Sequence, residues 1–205
     1  MTEPQPRFEF RVWGQNLSGP TRRLRELAEP AAMMASDEVY VVAEGCDDTN
    51  TKIRHEVLDV KVLQRVVDRR EQWQPWIKAE FPIPALLLGQ QLLPRLGVPD
   101  LRVERDIDAV PALIELLRGR SQIGVARVCK QRTKYMIAGC LAEISIVAID
   151  GHRLLTTAIE STDLAAVCEL RGRLHLEQYE NVSYPRAIKL TMHHASNEPE
   201  FGNGH

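Results

Sequence analysis

The stretch Arg7-Phe8-Glu9-Phe10-Arg11-Val12 carries charged residues at its odd positions and apolar residues at its even positions. Successive residues of a strand point to opposite faces, so this alternation predicts a β-strand with one ionic and one apolar face. The same alternation recurs in Lys52-Ile53-Arg54, Asp59-Val60-Lys61-Val62, Val128-Cys129-Lys130-Gln131-Arg132 and Glu143-Ile144-Ser145-Ile146. The ionic faces of such strands either meet solvent or line one shared, water-filled interior.

The rest of the chain predicts further strands and helices around these segments. Strands are expected at 7–12, 38–44, 52–56, 58–66, 101–105, 123–134, 136–149 and 154–161. Helices are expected at 21–34 with an interruption near Pro30, at 82–93, from Asp108 to 117, from Thr162 or Asp163 to 174, and from Ser183 to 190. Asp150-Gly151 is a strong signal for a two-residue hairpin turn. Hairpin-connected strands with helices inserted between them predict an α+β fold, and this number of strands can close into a barrel.

Composition limits the class of protein. The 205 residues carry a formal net charge of -2, which argues against a surface built as a whole for nucleic acid. No apolar run approaches the roughly 20 residues that span a bilayer, and the first residues lack the apolar core of a signal peptide. The four cysteines form no CxxC pair, which favours reduced thiols in a cytoplasmic protein. We expect a single domain over residues 1–194 and a disordered tail over 195–205.

The charged faces of the predicted strands are mostly basic. Their bases are Arg7, Arg11, Lys52, Arg54, Lys61, Lys130, Arg132 and Lys134, and their acids are Glu9, Asp59, Glu143 and Glu160. Bases outnumber acids by two to one here, although the whole chain is slightly acidic. Solvated strand faces with incidental cross-strand ion pairs are the plainer interpretation of the same residues.

Two of these acids, Glu143 and Glu160, lie on neighbouring strands joined at Asp150-Gly151. A bulge or a diagonal pairing would bring them close together. Adjacent carboxylates repel one another unless a cation lies between them, and Mg²⁺ or Mn²⁺ prefers such oxygen ligands. Many fixed cations beside one metal site suit a chain of phosphates.

Taken together, these segments resemble the CYTH domain, also called the triphosphate tunnel metalloenzyme family. The likeness covers residues 7–190 and rests on the order and spacing of several segments. Arg7-Phe8-Glu9-Phe10-Arg11 is similar to the opening signature ExExK, and Lys130-Gln131-Arg132-Thr133-Lys134-Tyr135 resembles K-x-R-x-x-Y. The remaining segments are Lys52-Ile53-Arg54 with Leu58-Asp59-Val60-Lys61, the hairpin Ala142-Glu143-Ile144-Ser145 with Ala158-Ile159-Glu160-Ser161, and the ending Asn181-Val182-Ser183-Tyr184.

The resemblance implies a fold and a site. The fold is an eight-stranded antiparallel β-barrel that forms a tunnel, with helices packed outside. Members of the family bind triphosphates with Mg²⁺ or Mn²⁺. By this resemblance, Glu9, Glu143 and Glu160 would hold metal, with Glu143 and Glu160 catalytic. The implied phosphate-binding residues are Arg11, Lys52, Arg54, Lys61, Lys130 and Arg132.

The sequence departs from the family pattern in two places. Arg7 stands where the signature has its first glutamate, which should weaken part of the metal site. Ser145 stands where a further hairpin carboxylate is often found, so one metal ion fits the remaining acids better than two.

The leading hypothesis is a metal-dependent phosphohydrolase that acts on an inorganic or organic triphosphate in a basic tunnel. One alternative is a non-catalytic module that binds polyphosphate or a nucleotide, and others are a class IV-type adenylate cyclase and a scaffold with a wet charged face. The expected partner is a small molecule with a triphosphate, not nucleic acid or a membrane. Trp73, Pro75 and Trp76 are expected to pack in a core or interface, and a place at the tunnel mouth is the alternative for them.

Overall fold

A computed structural model describes residues 4–197 of the chain. Its centre is a barrel of eight antiparallel strands, closed in the order β1-β5-β4-β3-β2-β6-β7-β8. The strands are β1 (Arg7–Gly14), β2 (Ala32–Ala43), β3 (Cys46–Arg54), β4 (Val57–Val67), β5 (Arg70–Glu80), β6 (Ile123–Ile137), β7 (Cys140–Ile149) and β8 (His152–Ser161). The closed eight-stranded barrel and the α+β class are therefore confirmed.

Four of the hairpins turn on two residues that both have positive φ. Asp150 and Gly151 are one such pair, with φ of 46° and 90°. The others are His55-Glu56, Asp68-Arg69 and Ala138-Gly139. This backbone twist matches the right-handed twist of paired strands, which is why such turns keep the register tight. The short connections fix which residues of neighbouring strands face each other inside the barrel.

The helices lie outside the barrel or across one of its ends. They are α1 (Ser18–Leu27), α2 (Ala85–Leu87), α3 (Leu93–Arg95), α4 (Val110–Leu117), α5 (Leu164–Arg173) and α6 (Tyr184–Asn197), with a π-helical turn at Leu88–Leu92 between α2 and α3. Helix α5 begins as predicted, because the carboxylate of Asp163 accepts a hydrogen bond from the backbone of Ala165. None of the helices in the described part of the chain combines the length and apolar character required to span a bilayer.

Several sequence predictions of these elements were wrong. Helix α1 ends at Leu27, and residues 32–34 belong to β2, because pairing with β6 outweighs their helical pattern. Residues 101–105 form no strand, and Leu101 packs among helices instead. Asp108 does not cap α4, whose N-cap residue is Ala109 in an extended conformation.

The C-terminal helix is longer than the sequence predicts. Helix α6 reaches Asn197, three residues into the stretch predicted as a disordered tail. Residues 198–205 of that prediction lie outside the described part of the chain.

Two hydrophobic cores cover the outer surface of the barrel. In the first, Leu88, Leu92 and Leu113 pack on the outward apolar residues of β2 to β5. In the second, residues of α1 and α5 pack on the outward residues of β1, β6, β7 and β8, such as Phe10 and Ile159. The apolar alternates of the strands are used on the outside, so their ionic alternates point inward.

One end of the barrel is filled by apolar residues. There the start of α6 packs against inward-facing side chains of β2, β6 and β7, with Ile188 completely buried. These inward-facing residues are Val42, Ala126, Val128, Val147 and Ile149. The opposite end, where β1 begins and β8 ends, is not filled in this way. The charged interior therefore forms a cavity that is closed at one end by α6.

Candidate functional site

The charged interior forms a cavity of about 120 Å³, which we call the lumen. Its lining residues are Glu9, Arg11, Tyr40, Asn50, Lys52, Lys61, Lys130, Arg132, Lys134, Leu141, Glu143, Ala158, Glu160 and Tyr184. All nine residues predicted for the site except Arg54 are among them. The lining contains six basic and three acidic side chains.

The strand register brings these side chains together. Glu9 of β1 is paired with Glu160 of β8, and Arg11 is paired with Ala158 two residues further along. Ala158 is also the partner of Glu143 on β7. Since residues two apart on a strand share a face, Glu9, Arg11, Glu143 and Glu160 all point into the same space. Glu143 and Glu160 are diagonal neighbours on β7 and β8, because Glu160 is paired with Leu141 and not with Glu143.

Arg11 lies between two of the predicted metal-binding carboxylates. Its Nε donates to Glu9 Oε1 at 2.7 Å, and its Nη1 donates to Glu143 Oε1 at 3.4 Å. Burial by itself would raise the pKa of Glu9 and of Glu143, but Arg11 and other nearby cations hold both pKa values below their usual range. Both carboxylates are therefore ionised, and one guanidinium group contacts both of them.

The third predicted metal ligand is also paired with an arginine. Arg7 Nη1 donates to Glu160 Oε1 at 3.0 Å, so the arginine that replaces the first signature glutamate neutralises a carboxylate of the same site. Among residues 4–197, no three His, Cys, Asp or Glu side chains are grouped so that they could hold a metal ion. As arranged, these residues do not fit a resident Mg²⁺ or Mn²⁺, and the metal site stays a prediction from the resemblance.

A buried glutamate that the sequence did not point to contacts three cations, two of which line the lumen. Glu38 of β2 accepts from Lys130 Nζ at 2.8 Å, and lies 3.5 Å from Arg132 and 3.6 Å from Arg54. Arg54 therefore belongs to the same charged cluster through Glu38, although it does not line the lumen itself. Burial opposes ionisation of Glu38, but Lys130 and Lys52 lower its pKa to about 2.

Lys130 is the least exposed of the basic residues that line the lumen. Burial lowers its pKa to about 7, and the nearby charges of Lys52 and Arg11 act in the same direction against Glu38. Its ammonium donates to Tyr40 Oη at 2.7 Å and lies 3.7 Å from the ring centre of Tyr184. Burial is therefore the main cause of the lowered pKa, and the carboxylate of Glu38 is the strongest nearby charge that opposes it.

Tyr184 joins the charged cavity to the helix that closes it. It is the first residue of α6, its ring stacks on Tyr40 at 5.4 Å between ring centres, and Arg11 lies 4.5 Å from its ring centre. The pairing of β1 with β5 ends at Glu9, and beyond it the backbone N–H of Arg11 donates to Asn181 Oδ1 at 2.6 Å. Asn181 and Tyr184 resemble part of the family's C-terminal segment, and nothing in their spacing assigns them to the site.

A second carboxylate lies directly opposite Glu9. Glu71 of β5 is its cross-strand partner and accepts from Trp73 Nε1 at 3.1 Å. Burial, and then the charge of Glu9, raise the pKa of Glu71 to about 7. Glu71 was missed because no strand was predicted at 70–80, where polar residues and Pro75 hide the alternation.

No family model matches this sequence, and no curated protein matches it. Among solved structures, the PH1819 protein from Pyrococcus horikoshii OT3 is similar with a TM-score of 0.50 and 18% identity, covering 89% of this chain and 99% of that one. This likeness shows a shared fold, and the closed eight-stranded barrel agrees with the fold that the CYTH resemblance implies.

Two further solved structures resemble the chain over most of its length. A protein from Pyrococcus furiosus has a TM-score of 0.49 and 15% identity, covering 86% of this chain and 98% of that one. HpAC1 from Hippeastrum, described as having a dominant triphosphatase activity, has a TM-score of 0.48 and 10% identity, covering 90% of this chain and 96% of that one.

Proposed function

We propose that this protein binds the triphosphate group of a small molecule in the lumen. The observation that carries the proposal is the convergence of six basic side chains on one largely buried cavity with only three acids. Inside a protein, charges interact more strongly than they do in water, so a polyanion gains more here than on an open surface.

Some lumen cations are not engaged by protein groups. Within residues 4–197, the side chains of Lys61 and Lys134 make no salt bridge and no hydrogen bond, although both line the cavity. The buried Nε of Arg132 likewise has no hydrogen-bond partner in this part of the chain. Buried polar groups are normally paired, so the Nε of Arg132 favours a ligand that brings its own oxygen acceptors, and the two half-buried lysines add positive charge beside it.

The remaining cations are held in place before any ligand arrives. Arg11 is fixed by Glu9 and Glu143, and Lys130 by Glu38 and Tyr40. A site whose side chains are already ordered loses less conformational entropy when it binds its ligand. Arg11 and Lys130 would contact the phosphate oxygens. Lys52, Lys61 and Lys134 would neutralise the remaining negative charge of the triphosphate.

Titration calorimetry with tripolyphosphate tests this proposal. We expect saturable binding of one tripolyphosphate per chain that weakens as salt is added, because the contacts are ionic. A chain that binds tripolyphosphate no more tightly than it binds sulfate would contradict the proposal. A phosphate-release assay on the same samples, with Mg²⁺ or Mn²⁺ and with a chelator, separates binding from turnover.

Metal-dependent hydrolysis of the bound triphosphate is the second candidate function. It is favoured by the position of Glu143 and Glu160 in the same cavity as the phosphate-binding cations. Both carboxylates contact arginines rather than forming a cation site, and for that reason we rank binding ahead of hydrolysis. Release of phosphate that requires Mg²⁺ or Mn²⁺ would reverse this order.

A further inference from the structure

One strand of the barrel has an edge that its neighbour covers only in part. Strand β2 pairs with β6 along its whole length, whereas β3 pairs with it only from Val39 to Ala43. Strand β3 ends at Arg54, and the chain then turns back into β4 at His55-Glu56. Within residues 4–197, the β3 side of residues 32–37 therefore has no strand partner, and unpaired backbone N–H and C=O groups lie along it.

This free edge is exposed and uncharged at its centre. All residues from 29 to 35 are exposed, with Met33 at 80% and Met34 at 44%. Residues 31–36 contain no charged side chain and no proline. Exposed edges usually carry a charge, a proline or a bulge that prevents pairing with another chain. An apolar, uncharged edge of this kind indicates an interaction surface.

An apolar groove lies beside the free edge. It has a volume of about 630 Å³, and Met33, Met34 and Ala35 line it. Its other apolar lining residues are Leu17, Ile144, Ile146 and Leu155. Met33 and Ala35 are two residues apart and so share one face of the strand. A long side chain of a strand added at the free edge can reach across the small Ala35 into this groove.

We infer that the free edge is the interface of a homodimer, in which residues 31–37 of two copies pair antiparallel about a two-fold axis at Met34. Such an axis is perpendicular to the joined sheet, so inward-facing residues of one copy lie opposite inward-facing residues of the other. An axis at Met34 satisfies this condition and uses the whole uncharged stretch in both copies. Because each chain has its free edge covered by the other, association stops at the dimer.

The side chains of the edge fit a second copy in this register. Met33 lies opposite the partner's Ala35, so a large side chain meets a small one twice, and each Met33 can enter the groove of the other copy. Met34 lies opposite the partner's Met34 on the other face. An axis moved to Met33 would instead place Asp37 directly opposite the partner's Glu29, and like charges in that position are destabilising.

Sedimentation velocity of the full chain tests the association. We expect a species with twice the 23.2 kDa mass of one chain at micromolar concentrations. Met33→Lys should raise the dissociation constant of the dimer at least about tenfold, because each dimer loses two buried methionines and gains two like charges. Met136→Lys is the matched control, since Met136 is an exposed methionine of β6 beyond the residues that pair with β2. This control should leave the dimer unchanged.

Cysteine crosslinking tests the register. The background is a chain in which Cys46, Cys129 and Cys168 are replaced by serine, so that its own half-buried thiols do not crosslink. In this background, Met34→Cys should form an intermolecular disulfide under mild oxidation, because residues directly opposite each other lie within the reach of a disulfide. Met33→Cys should crosslink far less, because the two copies of residue 33 are diagonal neighbours about 7–8 Å apart.

Each contrary result overturns the inference. A chain that sediments as a monomer leaves the edge to an extended segment of a different protein. A dimer that Met33→Lys and Met136→Lys weaken equally uses another surface. Crosslinking of Met33→Cys at least as readily as Met34→Cys contradicts an axis at Met34. None of these measurements depends on what the lumen binds, so the proposed function stands or fails separately.

Discussion

The ammonium group of Lys130 lies 2.8 Å from the carboxylate of Glu38, and neither side chain is more than 2% exposed. Glu38 also lies within 3.6 Å of Arg54 and Arg132. A single buried acid thus stabilises three cations that would otherwise repel one another. The basic lumen depends on this carboxylate for its stability and on its excess cations for binding.

Replacement of Glu38 by alanine should destabilise the fold strongly. Removing one member of a buried ion pair leaves its partners uncompensated, at a cost of about 3–5 kcal/mol in the free energy of unfolding. Urea denaturation of Glu38→Ala and of the wild type measures this difference. The control is Asp37→Ala, one residue away on the exposed outer face of β2. A loss of less than about 1 kcal/mol would show that Glu38 does not organise these cations.

Replacement of Lys130 by alanine should weaken tripolyphosphate binding. A hydrogen bond to a charged group contributes about 1.5–3 kcal/mol, which corresponds to a loss of at least about tenfold in affinity. Arg127→Ala is the matched control, since Arg127 lies on the same strand and is exposed outside the barrel. Equal effects of the two substitutions in calorimetry would argue that binding follows net charge and not the lumen.

Glu71 should make the stability of the fold fall as pH rises from about 5 to 7. Its pKa in the folded chain is about 7 against 4.5 for the free side chain, so the folded state holds the proton more tightly across this interval. Stability falls with pH wherever the folded state binds more protons, here by up to about 3 kcal/mol. The variant Glu71→Gln should lack this component and be more stable than the wild type at pH 8.

Denaturation of both proteins at pH 5 and pH 8 measures the contribution of Glu71. The difference between the two proteins isolates this group from other titrating residues. If the wild type and Glu71→Gln lose equal stability between these pH values, Glu71 does not titrate there.

The hydrolysis hypothesis predicts that Glu143→Ala and Glu160→Ala each abolish metal-dependent phosphate release. Both remove a carboxylate from the lumen, whereas Glu115→Ala changes an exposed residue of α4 and should have no effect. Release is measured with tripolyphosphate in the presence of Mg²⁺ or Mn²⁺. Wild-type turnover that survives a saturating chelator would refute the metal role.

The alternation of charge in β1 was enough to predict which of its residues enter the barrel. Once Phe8 and Phe10 are assigned to an outer core, Glu9 and Arg11 must point the other way. The hairpin at Asp150-Gly151 then places Glu143 and Glu160 near each other, because two residues with positive φ fix the register. Charge alternation and hairpin turns of this kind predict the barrel and most of the residues that line the lumen.

The site residues that the sequence did not point to, Glu38 and Glu71, lie where charged and apolar residues do not clearly alternate. Glu38 precedes the apolar run Val39-Tyr40-Val41-Val42, in which both faces are buried. The outer face packs against the helices outside the barrel, and the inner face packs against α6. Strand β5 begins after Asp68-Arg69, a turn with two left-handed residues but no glycine, so no turn signal precedes Glu71 and Trp73. The prediction of a strand at 101–105 was wrong because the apolar residues there pack between helices and do not pair with another strand.

A crystal structure of the chain soaked with tripolyphosphate and Mn²⁺ tests the central claim most directly. The account predicts three linked phosphate groups inside the barrel, in contact with Arg11, Lys130 and Arg132. Phosphate groups bound only to the outer surface, with the lumen holding water alone, would contradict it.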